Sequence, residues 1–205
     1  MKLIETPIFR MYQLTIAAEK REAFLKAGVN NLLTSHQNEP GTLAMYATHL
    51  DEKGIDNFVF ELYKNEAAYQ VHANSSQFKA YGQVAQQAVT DKSLQELLPK
   101  YIKTNQDDMT IRGKNDYLLK LTTFRADNQT IEKILNDLSS ANESVTYYLA
   151  AVDETQQQWL SLELLDGMEV PLLDPTVFEP VTDRKTKLLQ VDTLVSQGNI
   201  LFKGF

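Results

Sequence analysis

Two stretches of this chain align without a gap at a separation of 102 residues. YATHLDEKGIDNFVFELYKN begins at Tyr46 and YLAAVDETQQQWLSLELLDG at Tyr148. The alignment pairs Asp51 with Asp153, Glu52 with Glu154, Glu61 with Glu163 and Leu62 with Leu164. A tandem duplication constrains the fold more tightly than composition can, because each copy must be one supersecondary unit.

The elements flanking the two hairpins come in the same order. Ile8–Ile16 alternates as a strand, with Tyr12, Leu14 and Ile16 on one face and Phe9, Met11 and Gln13 on the other. Glu19–Thr34 has the period of a helix, its stripe being Leu25, Gly28, Val29, Leu32 and Leu33. Gly28 inside that stripe suggests close packing against a strand. Asn38-Glu39-Pro40-Gly41 is a turn, and Thr42–Leu50 and Asn57–Tyr63 form the first hairpin. Asn65 is placed to cap one short helix, and Ser75 or Ser76 a second that runs through Gln87. Leu94–Thr104 closes the unit as a strand despite Pro99. The order is β-α-β-β-α-β, the ferredoxin-like pattern.

The polar stretch Gln106–Lys114 is expected to separate two domains, residues 1–108 and 113–205. After it come a strand (Asp116–Phe124), a helix (Asn128–Ser139, with Ile131, Ile134, Leu135 and Leu138 on one side) and the second hairpin, Ser144–Val152 and Gln158–Leu165. Then the copies diverge. Pro171, Pro175 and Pro180 forbid a long helix where the first copy has two, so the second is expected to have lost that helical cover. Its last strand falls at either Leu188–Leu194 or Asn199–Lys203.

Composition removes several functions. With 20 Lys and Arg against 27 Asp and Glu, the net charge is −7 and no basic stripe is present. Nucleic acid is therefore not an expected partner. Cysteine is absent, which excludes disulfides, thiolate nucleophiles and Cys-bound metals. The start of the chain lacks the apolar core of a signal peptide, and no run reaches the roughly 18 apolar residues that span a bilayer. The expected location is the cytoplasm, with no membrane partner.

The string EPGTLAMYATHLDEKGIDNFVFELYKNEAAYQVHANSSQFKAY resembles the antibiotic biosynthesis monooxygenase domain. The features that carry the likeness are the turn Glu39-Pro40-Gly41, the strand end Glu61-Leu62-Tyr63, the cap Asn65, Ala68 and His72, with REAFLKAGVNNLL in the first helix. The resemblance covers roughly residues 7–104 and, more weakly, the second half. It implies an α+β barrel in which two four-stranded sheets face each other, built here from the two tandem ferredoxin-like units as an intramolecular dimer. It leaves open whether the tandem chain forms a homodimer as well. Family members include monooxygenases of quinone-forming aromatics that need no cofactor, and haem-degrading enzymes. The haem-degrading branch requires a histidine, an asparagine and a tryptophan where this chain has Gly82 (or Tyr81), Tyr12 and Tyr63, so haem breakdown is not expected.

All three histidines, His36, His49 and His72, lie in the first half. By resemblance His72 is the candidate base, since imidazole accepts a proton near neutral pH. The anion so formed on a small aromatic or quinol substrate would react with O2, and no metal or flavin motif is present. The bland alternative is a satisfied core histidine. Glu61 shares a strand face with Val59 and Tyr63 and would be a buried carboxylate, orienting His72 or accepting a proton itself. Its repeat partner Glu163 lacks any histidine, which favours a structural role for both. Tyr63 is the candidate to bond a substrate oxygen, and Tyr12, Phe24, Met45, Phe78 and Tyr81 are candidate pocket walls. His36 is expected in solvent and His49 at an edge or interface. Two other functions fit the same residues: an isomerase of a small carbonyl compound, which transfers protons without O2, and a ligand-binding protein without catalysis.

Overall fold

Alternation along Ile8–Ile16 forms strand β1, with Phe9 and Met11 turned one way and Tyr12, Leu14 and Ile16 the other. The computed structural model describes residues 1–140, 146–167 and 179–204. After β1 come α1 (Arg21–Asn38), β2 (Thr42–His49), β3 (Asp56–Tyr63), α2 (Glu66–Asn74), α3 (Ser76–Ala88) and β4 (Val89–Lys103). The second half contains β5 (Met109–Arg112), β6 (Tyr117–Arg125), α4 (Asn128–Ser140), β7 (Tyr147–Asp153), β8 (Gln158–Asp166), β9 (Thr182–Ser196) and β10 (Leu201–Lys203).

The strands close into a ring. The order β4-β1-β3-β2 of one half continues through β2–β9 pairing into β9-β6-β8-β7 of the other, and β7 pairs with β4. Every one of these pairings is antiparallel, and closure leaves neither four-stranded sheet with a free edge. This is the α+β barrel expected of two ferredoxin-like units. Its interior takes Phe9, Phe58 and Phe60 from the first half and Leu119, Leu160 and Leu162 from the second. There the repeat-related Tyr46 and Tyr148, both 1% exposed, hydrogen-bond hydroxyl to hydroxyl at 2.7 Å.

Asn65 caps α2 by accepting from the Ala68 amide at 3.0 Å, and Ser75 caps α3. Several boundaries differ from expectation. β4 starts at Val89, directly after α3, and Pro99 sits at a register shift, where a missing amide does little harm. Both candidate C-terminal segments contribute strands: Leu188–Leu194 lies inside β9, and Leu201–Lys203 of the other forms β10. The stretch read as a linker contains β5, which pairs with β9 and buries Ile111. The buried face of α1 is Phe24, Gly28, Asn31, Leu32 and Ser35; it shares Gly28 and Leu32 with the expected stripe, whose Leu25, Val29 and Leu33 are half-buried. Two polar residues on that face masked its position. Gly28 faces the Tyr81 ring of α3, a helix and not a strand. α4 buries Ile131, Ile134, Leu135 and Leu138 as anticipated. The expected loss of helical cover falls largely on 168–178, outside the described residues. Among the described residues no helix is long and apolar enough to cross a membrane.

Candidate active site

Because Phe58, Phe60 and Leu62 fill the barrel, the alternate residues Val59, Glu61 and Tyr63 of β3 face the helices. α1 and α3 lie over this outer face. Tyr81 of α3 packs against Phe24 of α1, with ring centroids 5.6 Å apart. Between α3 and the sheet is a cavity of about 300 Å³. Leu14, Val59, Phe78, Ala85 and Val89 give it apolar walls, while Tyr12, Glu61, Tyr81 and Lys92 supply the polar groups. A second space of about 20 Å³ shares Val59, Glu61 and Tyr81 and adds Phe24 and Met45.

Glu61 is the acidic side chain of both spaces. It is 7% exposed and forms no ion pair among the described residues. The Tyr63 hydroxyl donates to its Oε2 at 2.9 Å. Burial pushes the Glu61 carboxyl above its ordinary value, against the pull of His72, the Tyr63 bond, Arg10 and Lys92. Burial and the Glu61 charge likewise raise the Tyr63 phenol, which keeps it a hydrogen donor. Tyr12 and Tyr81 are raised chiefly by burial.

His72 lies outside the lining of the cavity. Its side chain is fully buried and does not line the cavity; its ring packs on Phe78 at 4.8 Å and Tyr63 at 5.4 Å between centroids. Nδ1 lies 2.9 Å from Glu39 Oε2 and 3.2 Å from Ser35 Oγ. Glu39 also accepts from Thr42 Oγ1 at 2.7 Å and from Gln77 Nε2, and Gln77 donates to Ser35 Oγ at 3.1 Å. A carboxylate only accepts, so Nδ1 carries the proton in the His72–Glu39 bond. This buried knot ties the end of α1, the start of β2, α2 and α3 together. Gly41 belongs to the same joint: a Cβ there would sit 2.4 Å from Ala68 Cβ. The Glu-Pro-Gly turn, Ala68 and His72 are thus parts of one packing arrangement behind the cavity wall.

The structure gathers Tyr12, Glu61, Phe78 and Tyr81 around the main cavity and Phe24 and Met45 around its small neighbour. Tyr63 stands behind Glu61. His36 is partly buried instead of free in solvent, with Nδ1 shielded. His49 lies at an interface: Nδ1 is 2.9 Å from Asp192 Oδ2 on β9 of the other half, beside Arg21. Sequence reading missed three residues. Glu39 was read only as part of a turn, and Gln77 and Lys92 carried no signal. No histidine lines the cavity among the described residues, so these residues offer a haem no imidazole ligand. Nor do the described residues contain a group of three acidic or histidine side chains able to hold a metal.

The sequence pattern of the antibiotic biosynthesis monooxygenase family matches residues 7–84. No curated protein matches the chain significantly. Among solved structures, a candidate monooxygenase of Lactobacillus acidophilus superposes with a TM-score of 0.77 at 21% identity, covering 96% of this chain and 99% of its own. A candidate monooxygenase of Fusobacterium nucleatum gives a TM-score of 0.82 at 15% identity, covering 98% and 100%. At these identities the likeness establishes the fold, and it extends over both halves of the barrel. Residues 7–84 thus carry an antibiotic biosynthesis monooxygenase domain.

Proposed function

We propose that the first half is a monooxygenase that needs no cofactor and acts on a small aromatic carbon acid or quinol, with Glu61 as the proton acceptor. The observation that carries this reading is a carboxylate with a raised pKa in a largely apolar cavity, held by Tyr63 and not by a cation. A base poised above the ordinary carboxylate range is better matched to a weakly acidic carbon or phenol. His72 is assigned a positioning role through the Glu39 knot, in place of the direct base that the resemblance implied.

For a ring CH2 activated by a neighbouring carbonyl, Glu61 takes one proton and leaves a delocalised carbanion. The carbanion gives its electron pair to O2, and the returned proton completes a hydroperoxide. Loss of the second C–H proton with cleavage of the O–O bond yields a ketone and water. One oxygen atom enters the product and the other leaves as water, with all four electrons drawn from the substrate. Tyr63 stabilises the Glu61 carboxylate between the two proton transfers. The two halves read as domains 1–108 and 113–205 are part of this proposal, the second completing the barrel.

Oxygen consumption with anthrone as substrate tests it. Turnover by the wild type that falls about 10²–10⁴-fold in Glu61→Gln, with the fold intact, supports the reading. Proton exchange at the substrate carbon without O2 uptake would instead favour an isomerase. The absence of both would favour a binding protein.

A further inference from the structure

The main cavity has an electrostatic asymmetry that proton transfer does not require. Its carboxylate, Glu61, is buried, whereas its one basic side chain among the described lining residues, Lys92, is exposed on β4. Lys92 stands opposite Leu14 in the β1–β4 register, and its Nζ lies 5.0 Å over the Tyr12 ring. It has no ion pair among the described residues. The nearby Arg10, by contrast, is bonded to Glu96 at 3.1 Å and stacked on Tyr69. The charge of Lys92 is nonetheless felt inside the cavity, where it opposes the upward push on Glu61.

We infer that Lys92 anchors an anionic substituent of the ligand, so that the site selects aromatic monoanions of the carboxylate class. This rests on the reading of the cavity as the ligand site. The two charges divide the ligand between them. An anion beside Glu61 is repelled in a poorly screened space. At the mouth an anion keeps part of its hydration and meets an unneutralised ammonium, so pairing there costs little desolvation. The ring then lies along Leu14, Val59, Phe78 and Val89 with its reactive carbon toward Glu61. In a chain of net charge −7, a local cation favours the entry of an acid.

Calorimetric titration of the full chain with 2-naphthoate and with its neutral isostere 2-naphthamide tests the inference. The wild type is expected to prefer the carboxylate by about five- to tenfold at low salt. Lys92→Gln should abolish that preference while 2-naphthamide affinity moves less than twofold; Lys92→Arg should retain it, and 0.5 M NaCl should shrink it. Equal wild-type affinities, or a preference that survives in Lys92→Gln, would overturn the anchor and leave the cavity reading standing. No binding of either compound, or binding unaffected by filling the cavity with Ala85→Trp, would overturn the cavity reading itself.

Discussion

Arg10 and Lys120 occupy the same place in the two halves, each directly across from the repeated glutamate: Arg10 from Glu61, Lys120 from Glu163. The outcomes differ. Lys120 Nζ stays with Glu163 at 3.5 Å, whereas Arg10 turns to Glu96 and the ring of Tyr69 on α2. Behind Glu61 stands the donor Tyr63; its repeat counterpart is Leu165, which has nothing to donate. On the outer face of the first half, α1 and α3 leave a cavity over the sheet. On that of the second, α4 packs Ile134, Leu135 and Leu138 against Phe124, Tyr147 and Trp159. The same carboxylate in the same register is therefore an ion-pair partner in one half and a cavity group in the other. What decides is the neighbouring element, since α2 supplies the aromatic ring that draws the cation away.

The contrast is broken most directly by the paired substitutions Glu61→Gln and Glu163→Gln. The first is expected to lower oxygen uptake about 10²–10⁴-fold, and the second to leave it within about twofold, both read on an oxygen electrode. Equal losses would mean that the halves do not differ in function. A second effect concerns the Glu39–His72 knot of the first half. His72→Phe removes a hydrogen bond to a buried carboxylate and should cost about 2–3 kcal/mol in urea unfolding. Its rate loss should be smaller than that of Glu61→Gln; a rate loss as large in a well-folded protein would restore His72 as the direct base.

pH sharpens the comparison further. The Glu61 pKa is raised in the folded state, so the folded chain holds this proton over a range where the unfolded chain has lost it. Stability must then fall as pH rises from the ordinary glutamate range through the raised value. Glu61→Gln should flatten that fall in pH-dependent unfolding, and the acid limb of wild-type kcat/KM should lie above the ordinary glutamate range. The smallest effect concerns the place where the halves meet as equals. Tyr46→Phe and Tyr148→Phe should each cost about 1 kcal/mol. Because they share one hydrogen bond, the double variant should cost less than the two separately.

Much of the fold was legible before any coordinates. The gapless repeat and the period-two strands announced two ferredoxin-like units, because a strand with one face in a core must alternate. The caps Asn65 and Ser75 were readable because capping is local chemistry. The face of α1 was legible only at Gly28 and Leu32, because Asn31 and Ser35, polar in sequence, are buried as well, Ser35 in the Glu39–His72 knot. β5 and β10 were missed or left open because their partners, β9 and β4, are remote in sequence. At the site, the alternation on β3 put Glu61 and Tyr63 on one face, and the tertiary structure kept them there.

The sequence by itself determined the copies, their order of elements, the faces of the central strands and the confinement of histidine to one half. These follow from periodicity and local preference, which act over a few residues. Only the tertiary structure decided that His72 turns to Glu39, that Arg10 abandons Glu61 while Lys120 keeps Glu163, and that Lys92 lines a cavity with no ion pair among the described residues. Each of those outcomes is a competition between partners far apart in the chain, settled by which of them packing brings within hydrogen-bonding reach.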